Sequence, residues 1–294
     1  MKHSILILGH KDPHYLSSLT DYFDEDFLIY IHLDKKSKIS KHEIIKLAQK
    51  KNVAFISKKY KTNWGGCNIL KAELYLMKRA LKDNPDGYIH LISGQDVPTK
   101  SLTHFKRFFN KNVGKEFLEY EPFPRKEWEG GSFARFQYYR PYDLFNCRTK
   151  KGEKICNKII RFQIKHNLIR KIPQQFNVLY GGSAWFSLSA DCVRYILYYT
   201  KKHPAFYRKL KYTFASDETY INTVLAHSGF KDNIVNNNLR YINWSYKYGS
   251  YPAILDENDY IEIQQSDALF ARKIAFPASN TLIKKLNTII MPRK

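Results

Sequence analysis

Acidic residues are scarce in this chain of 294 residues, with 27 Asp and Glu against 49 Lys and Arg, a formal net charge of +22. A surface of that sign attracts phosphates, whether of nucleic acid, an anionic lipid or a nucleotide-sugar, and composition does not choose among them. The cations are scattered in pairs such as Lys35-Lys36, Lys58-Lys59 and Lys201-Lys202, so there is no single basic block of the kind that marks a disordered nucleic-acid arm. Cysteine is also rare. Cys67, Cys147, Cys156 and Cys192 form no Cys-x-x-Cys pair and have no His at zinc spacing, which excludes a zinc site and reads as free thiols in a reducing compartment. No run of 18 apolar residues occurs, and Ile5-Leu6-Ile7-Leu8 is too short for a signal segment, so the sequence reads as cytoplasmic. Internal repeats and low-complexity linkers are absent, which leaves a single domain.

Apolar residues make up 44% of the chain, enough to fold without staples. Aromatics reach 15%, with 22 Tyr and 19 Phe, and serve equally as core or as the paving of a sugar-binding cleft. Strand and helix patterns alternate through the first hundred residues. Strands are expected over His3 to Leu8, Phe27 to Leu33, Val53 to Ile56 and Tyr88 to Ile92. Helices are expected over Pro13 to Phe23, Lys41 to Lys50 and Ile69 to Leu81. That alternation predicts an α/β fold with a mostly parallel central sheet flanked by helices, in which ligands sit at the carboxyl ends of the strands. Polar clusters fall there: Gly9-His10-Lys11, His32-Leu33-Asp34 and Ser93-Gly94-Gln95-Asp96.

From Glu116 to Gln175 the rhythm is lost, and the segment reads as an insertion over the sheet edge. A strand is expected again over Ser183 to Leu188, a helix over Ala190 to Lys202, a helix start at Ser216-Asp217-Glu218, and a strand over Leu239 to Trp244. The division that follows is a nucleotide-binding half (1–115), an acceptor-side insertion (116–180), a catalytic and diphosphate-binding half (181–279) and a basic amphipathic tail (280–294). The tail carries Leu282, Ile283, Leu286, Ile289 and Ile290 beside Lys284, Lys285 and Arg293. It suits either a helix peripheral on an anionic membrane or a terminal helix packed on its own domain, with the second favoured.

Several segments carry a resemblance when taken in order. They are Ile5-Leu6-Ile7-Leu8-Gly9-His10-Lys11, Ile31-His32-Leu33-Asp34, Asn63-Trp64-Gly65-Gly66, His90-Leu91-Ile92-Ser93-Gly94-Gln95-Asp96 and Gly182-Ser183-Ala184-Trp185-Phe186. Ser216-Asp217-Glu218-Thr219-Tyr220, Leu239-Arg240-Tyr241-Ile242-Asn243-Trp244 and Phe270-Ala271-Arg272-Lys273 complete the set. Together they resemble the core-2/I-branching β-1,6-N-acetylglucosaminyltransferase and peptide O-xylosyltransferase family, glycosyltransferase family 14, in a short bacterial form. The resemblance implies a GT-A-type α/β fold, a UDP-sugar donor, inversion at the anomeric carbon, a glycan or lipid-linked glycan acceptor, and no metal cofactor. A metal-binding Asp-x-Asp turn after a strand is not found; Asp24-Glu25-Asp26 and Asp256-Glu257-Asn258-Asp259 lie on expected loops and read as solvated.

On the same resemblance Glu218 is the general base, since inverting transfer needs a carboxylate to take the acceptor proton. Lys273, with Arg272 beside it, maps to the cation that stabilises the departing diphosphate, and the family's second phosphate-binding Arg has only Lys247 or Arg272 to replace it. Asp34 maps to the nucleoside side, where His10 joins it as a strand-end residue without acid–base duty. Gly182, Ser183 and Ala184 line the sugar pocket, with Trp64, Gly65, Asp96 and Trp244. Glu119, Arg135 and Arg140 are acceptor-side candidates. Each has a plain structural alternative: Glu218 as a helix-start acid with Asp217 as its competitor for the cap, Asp34 as a strand cap, Asp96 as a turn brace, Trp64 as an anchor. The alternative functions are a basic nucleic-acid-binding protein and a non-catalytic sugar-nucleotide or membrane-binding module.

Overall fold

The computed structural model describes residues 1–124, 133–171 and 176–291. Its strands are β1 (His3–Gly9), β2 (Phe27–Leu33), β3 (Val53–Ser57), β4 (Tyr88–Ser93), β5 (Asp96–Pro98), β6 (Glu116–Leu118), β7 (Glu121–Pro122), β8 (Tyr180–Gly181), β9 (Phe186–Ser189), β10 (Ile234–Asn236), β11 (Arg240–Ile242) and β12 (Phe270–Arg272). Seven of them form the central sheet in the order β10-β6-β9-β4-β1-β2-β3. β1 pairs in parallel with β2 and β4, β2 with β3, and β6 with β10; β9 alone runs antiparallel, between β4 and β6. Side chains of β1 alternate between two cores. Ile5 and Ile7 join the cluster that holds Phe105, Phe109 and Phe270, while Leu6 joins Leu70, Met77 and Val193 on the other face. Burial on both faces is what a parallel sheet covered by helices demands.

Helices form where the sequence supplies caps. Ser40 accepts the N–H of Glu43 and its own N–H is bound by the Glu43 carboxylate, a reciprocal cap on Lys41–Ala48. Ser189 caps Ala190–Lys202 in the same position. A buried His3–His90 pair, 3.1 Å apart, bridges β1 and β4 among Phe27, Phe105 and Phe109.

Four expectations change. The irregular stretch contains β6, which is too short to show a period, and a helix over Lys150–Lys165. That helix buries Gly152, Cys156 and Gln163 while Phe162 and Ile164 stand exposed, so hydrophobic spacing does not reveal it. The strand expected from Ser183 begins only at Phe186, because Gly181 pairs with Glu121 in a separate ribbon and Gly182–Trp185 bridges the two. The helix expected from Ser216 begins at Tyr220, so the acidic pair lies before its first turn and the dipole argument for it lapses. The strand expected over Leu239 to Trp244 is confined to β11, since Leu239 has φ 60.

The last helix, Asn280–Ile290, sinks Leu282, Leu286 and Ile290 into the core and turns Lys284 and Lys285 outward. Its apolar stripe is thus spent on its own domain rather than open to a bilayer; Arg293 lies outside the described residues. Among the described residues no helix is long and apolar enough to cross a membrane.

Candidate active site

Two clefts open along the edge where the parallel strands end. The first, of about 440 Å³, follows β1 and β2 and is lined by His10, Lys11, Asp34, Lys36 and Ser37. Asp34 is nearly buried. Its carboxylate accepts the N–H of Lys36 at 2.9 Å and of Thr62 at 3.3 Å and pairs with the Lys36 ammonium at 3.3 Å. Burial lowers the pKa of His10, and Lys11 adds to the effect while Asp34 opposes it.

The second cleft, of about 300 Å³, follows β6, β10 and β11 and is lined by Glu119, Asn236, Asn237, Asn238, Arg240, Ile242 and Trp244. Asn238 donates to the Glu119 carboxylate at 3.1 Å. Trp244 is 62% exposed, its ring 5.7 Å from that of Tyr251.

Glu218 lies between loops that hold its backbone and side chain separately. Its carbonyl accepts the N–H of Gly182 at 3.0 Å, and its carboxylate accepts from Arg135 at 2.8 Å. Only glycine fits at 182, since a Cβ would come 1.9 Å from the Glu119 carbonyl oxygen. The Arg135 guanidinium rests over Phe214, 4.9 Å from the ring centre. Phe214 in turn meets the edge of Trp64 at 5.0 Å, and Arg148 covers Trp64 at 4.7 Å. Gly65 permits this wall: it has φ 73, and a Cβ there would lie 2.5 Å from Phe214. Trp64 is 49% exposed, which makes it a wall of the site rather than a buried anchor.

Lys273 closes the circuit. Its ammonium bonds Ser250 at 3.2 Å and the Tyr251 carbonyl at 3.3 Å. Burial pulls its pKa down to about 8, helped by the positive charges of Arg272, Arg148 and Lys11. A lysine crowded by cations is a place prepared for an anion. The charge of Arg148 acts on both Lys273 and His10. It lies in the stretch without recognisable motifs, and no sequence signal marks it; only the fold brings it here.

Other candidates are committed elsewhere. Arg272 is half-buried, 3.2 Å from Asp96 and 4.1 Å over the Trp185 ring, so its guanidinium is already engaged by the protein. Asp96 is fully buried and holds Ser93 through its N–H and hydroxyl, so it braces the turn and cannot touch substrate. Lys247 is held by Asp256 at 2.7 Å and Asp259 at 3.2 Å, which removes it as a clamp and shows those two acids buried rather than solvated. Arg140 bonds the Tyr142 hydroxyl and the Ala134 carbonyl and steadies its own loop. Ser183 and Ala184 are half-buried in the Gly182–Trp185 bridge, with Ser183 accepting the N–H of Trp185. Asp24-Glu25-Asp26 does spell Asp-x-Asp, but it precedes β2 at the opposite edge of the sheet, where Asp24 and Asp26 both hold Lys106. Among the described residues no group of His, Cys, Asp and Glu is placed to hold a metal ion.

The family model of the core-2/I-branching enzymes matches residues 6–264. The chain belongs to that family, a family of glycosyltransferases. It is 30% identical over 290 residues to xylosyltransferase 2 of Rattus norvegicus, covering 90% of this chain and 31% of the relative. To xylosyltransferase 1 of the same species it is 27% identical over 295 residues, covering 91% of this chain and 32% of the relative. The chain therefore spans about a third of the length of the curated relatives it matches. A crystal structure of mouse xyloside xylosyltransferase 1 in its apo form aligns over 92% of this chain and 97% of its own, at 9% identity and a TM-score of 0.39. The matched span runs from β1 past β11 and contains Glu218, while Lys273 lies just beyond its end. The nucleic-acid alternative gains nothing from any of these matches.

Proposed function

We propose that the chain is an inverting glycosyltransferase that moves a sugar from UDP to a hydroxyl of a glycan acceptor without a metal ion. The observation that carries this reading is the chain of contacts that links one carboxylate, Glu218, to one cation-crowded lysine, Lys273. They are joined by the wall Arg135–Phe214–Trp64–Arg148. Asp34 and His10 take the nucleoside in the first cleft. Glu119, Trp244 and the asparagines of the second cleft take the acceptor glycan, the indole packing on a sugar face and the amides on its hydroxyls.

In the transfer step Glu218 removes the acceptor proton as the oxygen attacks the anomeric carbon from the face opposite UDP. The bond from that carbon to the diphosphate oxygen breaks, and the charge left on UDP is met by Lys273, Lys11 and Arg148. Arg135 holds the Glu218 carboxylate in one orientation. The resemblance favours N-acetylglucosamine as the donor sugar, and the names of the relatives add xylose. The acceptor belongs to surface polysaccharide assembly. The test is UDP release from UDP-N-acetylglucosamine, UDP-xylose and UDP-glucose, with and without EDTA. Release that survives EDTA with at least one donor is expected; no binding of UDP and no release from any donor would sink the reading.

A further inference from the structure

Behind Glu218 lies a buried acidic floor that the transfer step does not use. Glu73 projects from the helix Asn68–Asp83 and is fully buried, and among the described residues neither of its carboxyl oxygens has a hydrogen-bond partner. Asp217 is 9% exposed, and among the described residues its Oδ1 has none either. The charges of Asp217 and Glu218 act on Glu73, and Arg135, already bonded to Glu218, is the cation that acts on Asp217. Cys67, beside the start of the Glu73 helix, feels the charges of Asp143, Lys71 and Asp217. An unpaired carboxylate in such an interior costs several kcal/mol, so one guanidinium cannot keep all these acids ionised. Burial raises Glu73 well above the usual carboxylate range, and Asp217 adds to that. Burial likewise raises Asp217, to about 7, with Glu218 contributing.

We propose that Glu73 and Asp217 form a proton-holding floor that positions Glu218 and sets the pH range in which it works. Glu73 keeps its proton throughout. Asp217 releases its proton to water as the medium passes neutrality, and the new negative charge beside Glu218 helps draw the acceptor's proton into the site. Below that point both floor acids carry their protons, and Glu218 has only Arg135 as its charged partner. The inference rests on the reading of Glu218 as the base; Glu73 and Asp217 touch no substrate and act through it.

Two measurements test it. The first is kcat and donor KM against pH for the wild type, Asp217→Asn and Glu218→Gln, using the UDP-sugar with the fastest turnover. The acid limb of kcat is expected near pH 7 in the wild type and about one unit or more lower in Asp217→Asn, with donor KM little changed. A merely structural role would lower activity equally at every pH. The second is infrared titration of the folded protein, which needs no activity. A protonated carboxyl signal persisting at pH 8 in the wild type and missing in Glu73→Gln is expected, and its absence from the wild type overturns the proposal even where the variants do not fold. An acid limb that Asp217→Asn leaves unmoved, with Glu218→Gln inactive, overturns the floor alone. Full activity of Glu218→Gln overturns the base, and the floor with it.

Discussion

Lys273 makes the affinity for UDP depend on pH in a direction fixed by its surroundings. Burial, with Arg272, Arg148 and Lys11 nearby, holds its pKa at about 8 in the free protein. Only the charged ammonium meets a diphosphate well, so affinity is present below that value and lost as pH rises through it. Between pH 7 and pH 9 the charged fraction falls from about nine-tenths to about one-tenth, so binding should weaken about tenfold, or about 1.4 kcal/mol. Lys273→Arg keeps its charge over that range and should bind with a flat profile, while Lys273→Met should bind weakly throughout. Calorimetric titration with UDP at pH 7, 8 and 9, at one ionic strength, separates these cases. Ionisation of UDP itself is common to all three proteins and cancels in the comparison. A wild-type profile as flat as that of Lys273→Arg would refute the reasoning.

Other expectations concern the frame that holds the site. Arg240 donates to the carbonyls of Leu91 at 2.8 Å, Phe186 at 2.7 Å and Asn238, and to the Ser187 hydroxyl at 3.0 Å, joining β4, β9 and β11. Arg240→Met should cost about 3–5 kcal/mol in urea unfolding, because it strands those acceptors; a loss below about 1 kcal/mol would show that they find other donors. Gly182→Ala should destabilise the fold by about 1–3 kcal/mol and reduce turnover more than UDP affinity, because the added carbon pushes on Glu119 and on the loop bonded to Glu218. Equal losses in both would contradict that route. His3 has its pKa lowered from 6.5 to about 4 by burial, then by the N-terminal charge and Lys106. A depressed histidine contributes stability above pH 6.5 that is lost as pH falls toward 4, at most ~3 kcal/mol. Urea midpoints should fall across that window and fall less in His3→Gln.

What the sequence made legible was whatever rests on period and punctuation. β2 runs over the expected residues, Phe27–Leu33, because alternating burial on two cores leaves a continuous apolar run between turns. β6 and the Lys150–Lys165 helix were not legible, the first for its length and the second because small and polar residues form its buried face. The site divides in the same way. Glu218, Lys273 and Asp34 stand in motifs that single them out. Asp217 shares the Glu218 motif and Arg135 is picked out only as an acceptor-side candidate, while Glu73 sits in an ordinary helix and Arg148 comes from a segment with no pattern. Arg272 and Asp96 look functional by position and turn out to hold each other, since adjacency in sequence says nothing about which way a side chain faces across β12 and β5.

Removing the Glu218 carboxylate without loss of shape tests most directly its role as the acceptor's base. Glu218→Gln keeps the volume and can still pair with Arg135, so UDP binding by calorimetry should remain within about twofold. Turnover with the preferred UDP-sugar and a saturating acceptor should fall by about a hundredfold to ten-thousandfold, the share a general base supplies. A variant that binds UDP normally and turns over within about tenfold of the wild type would contradict the assignment.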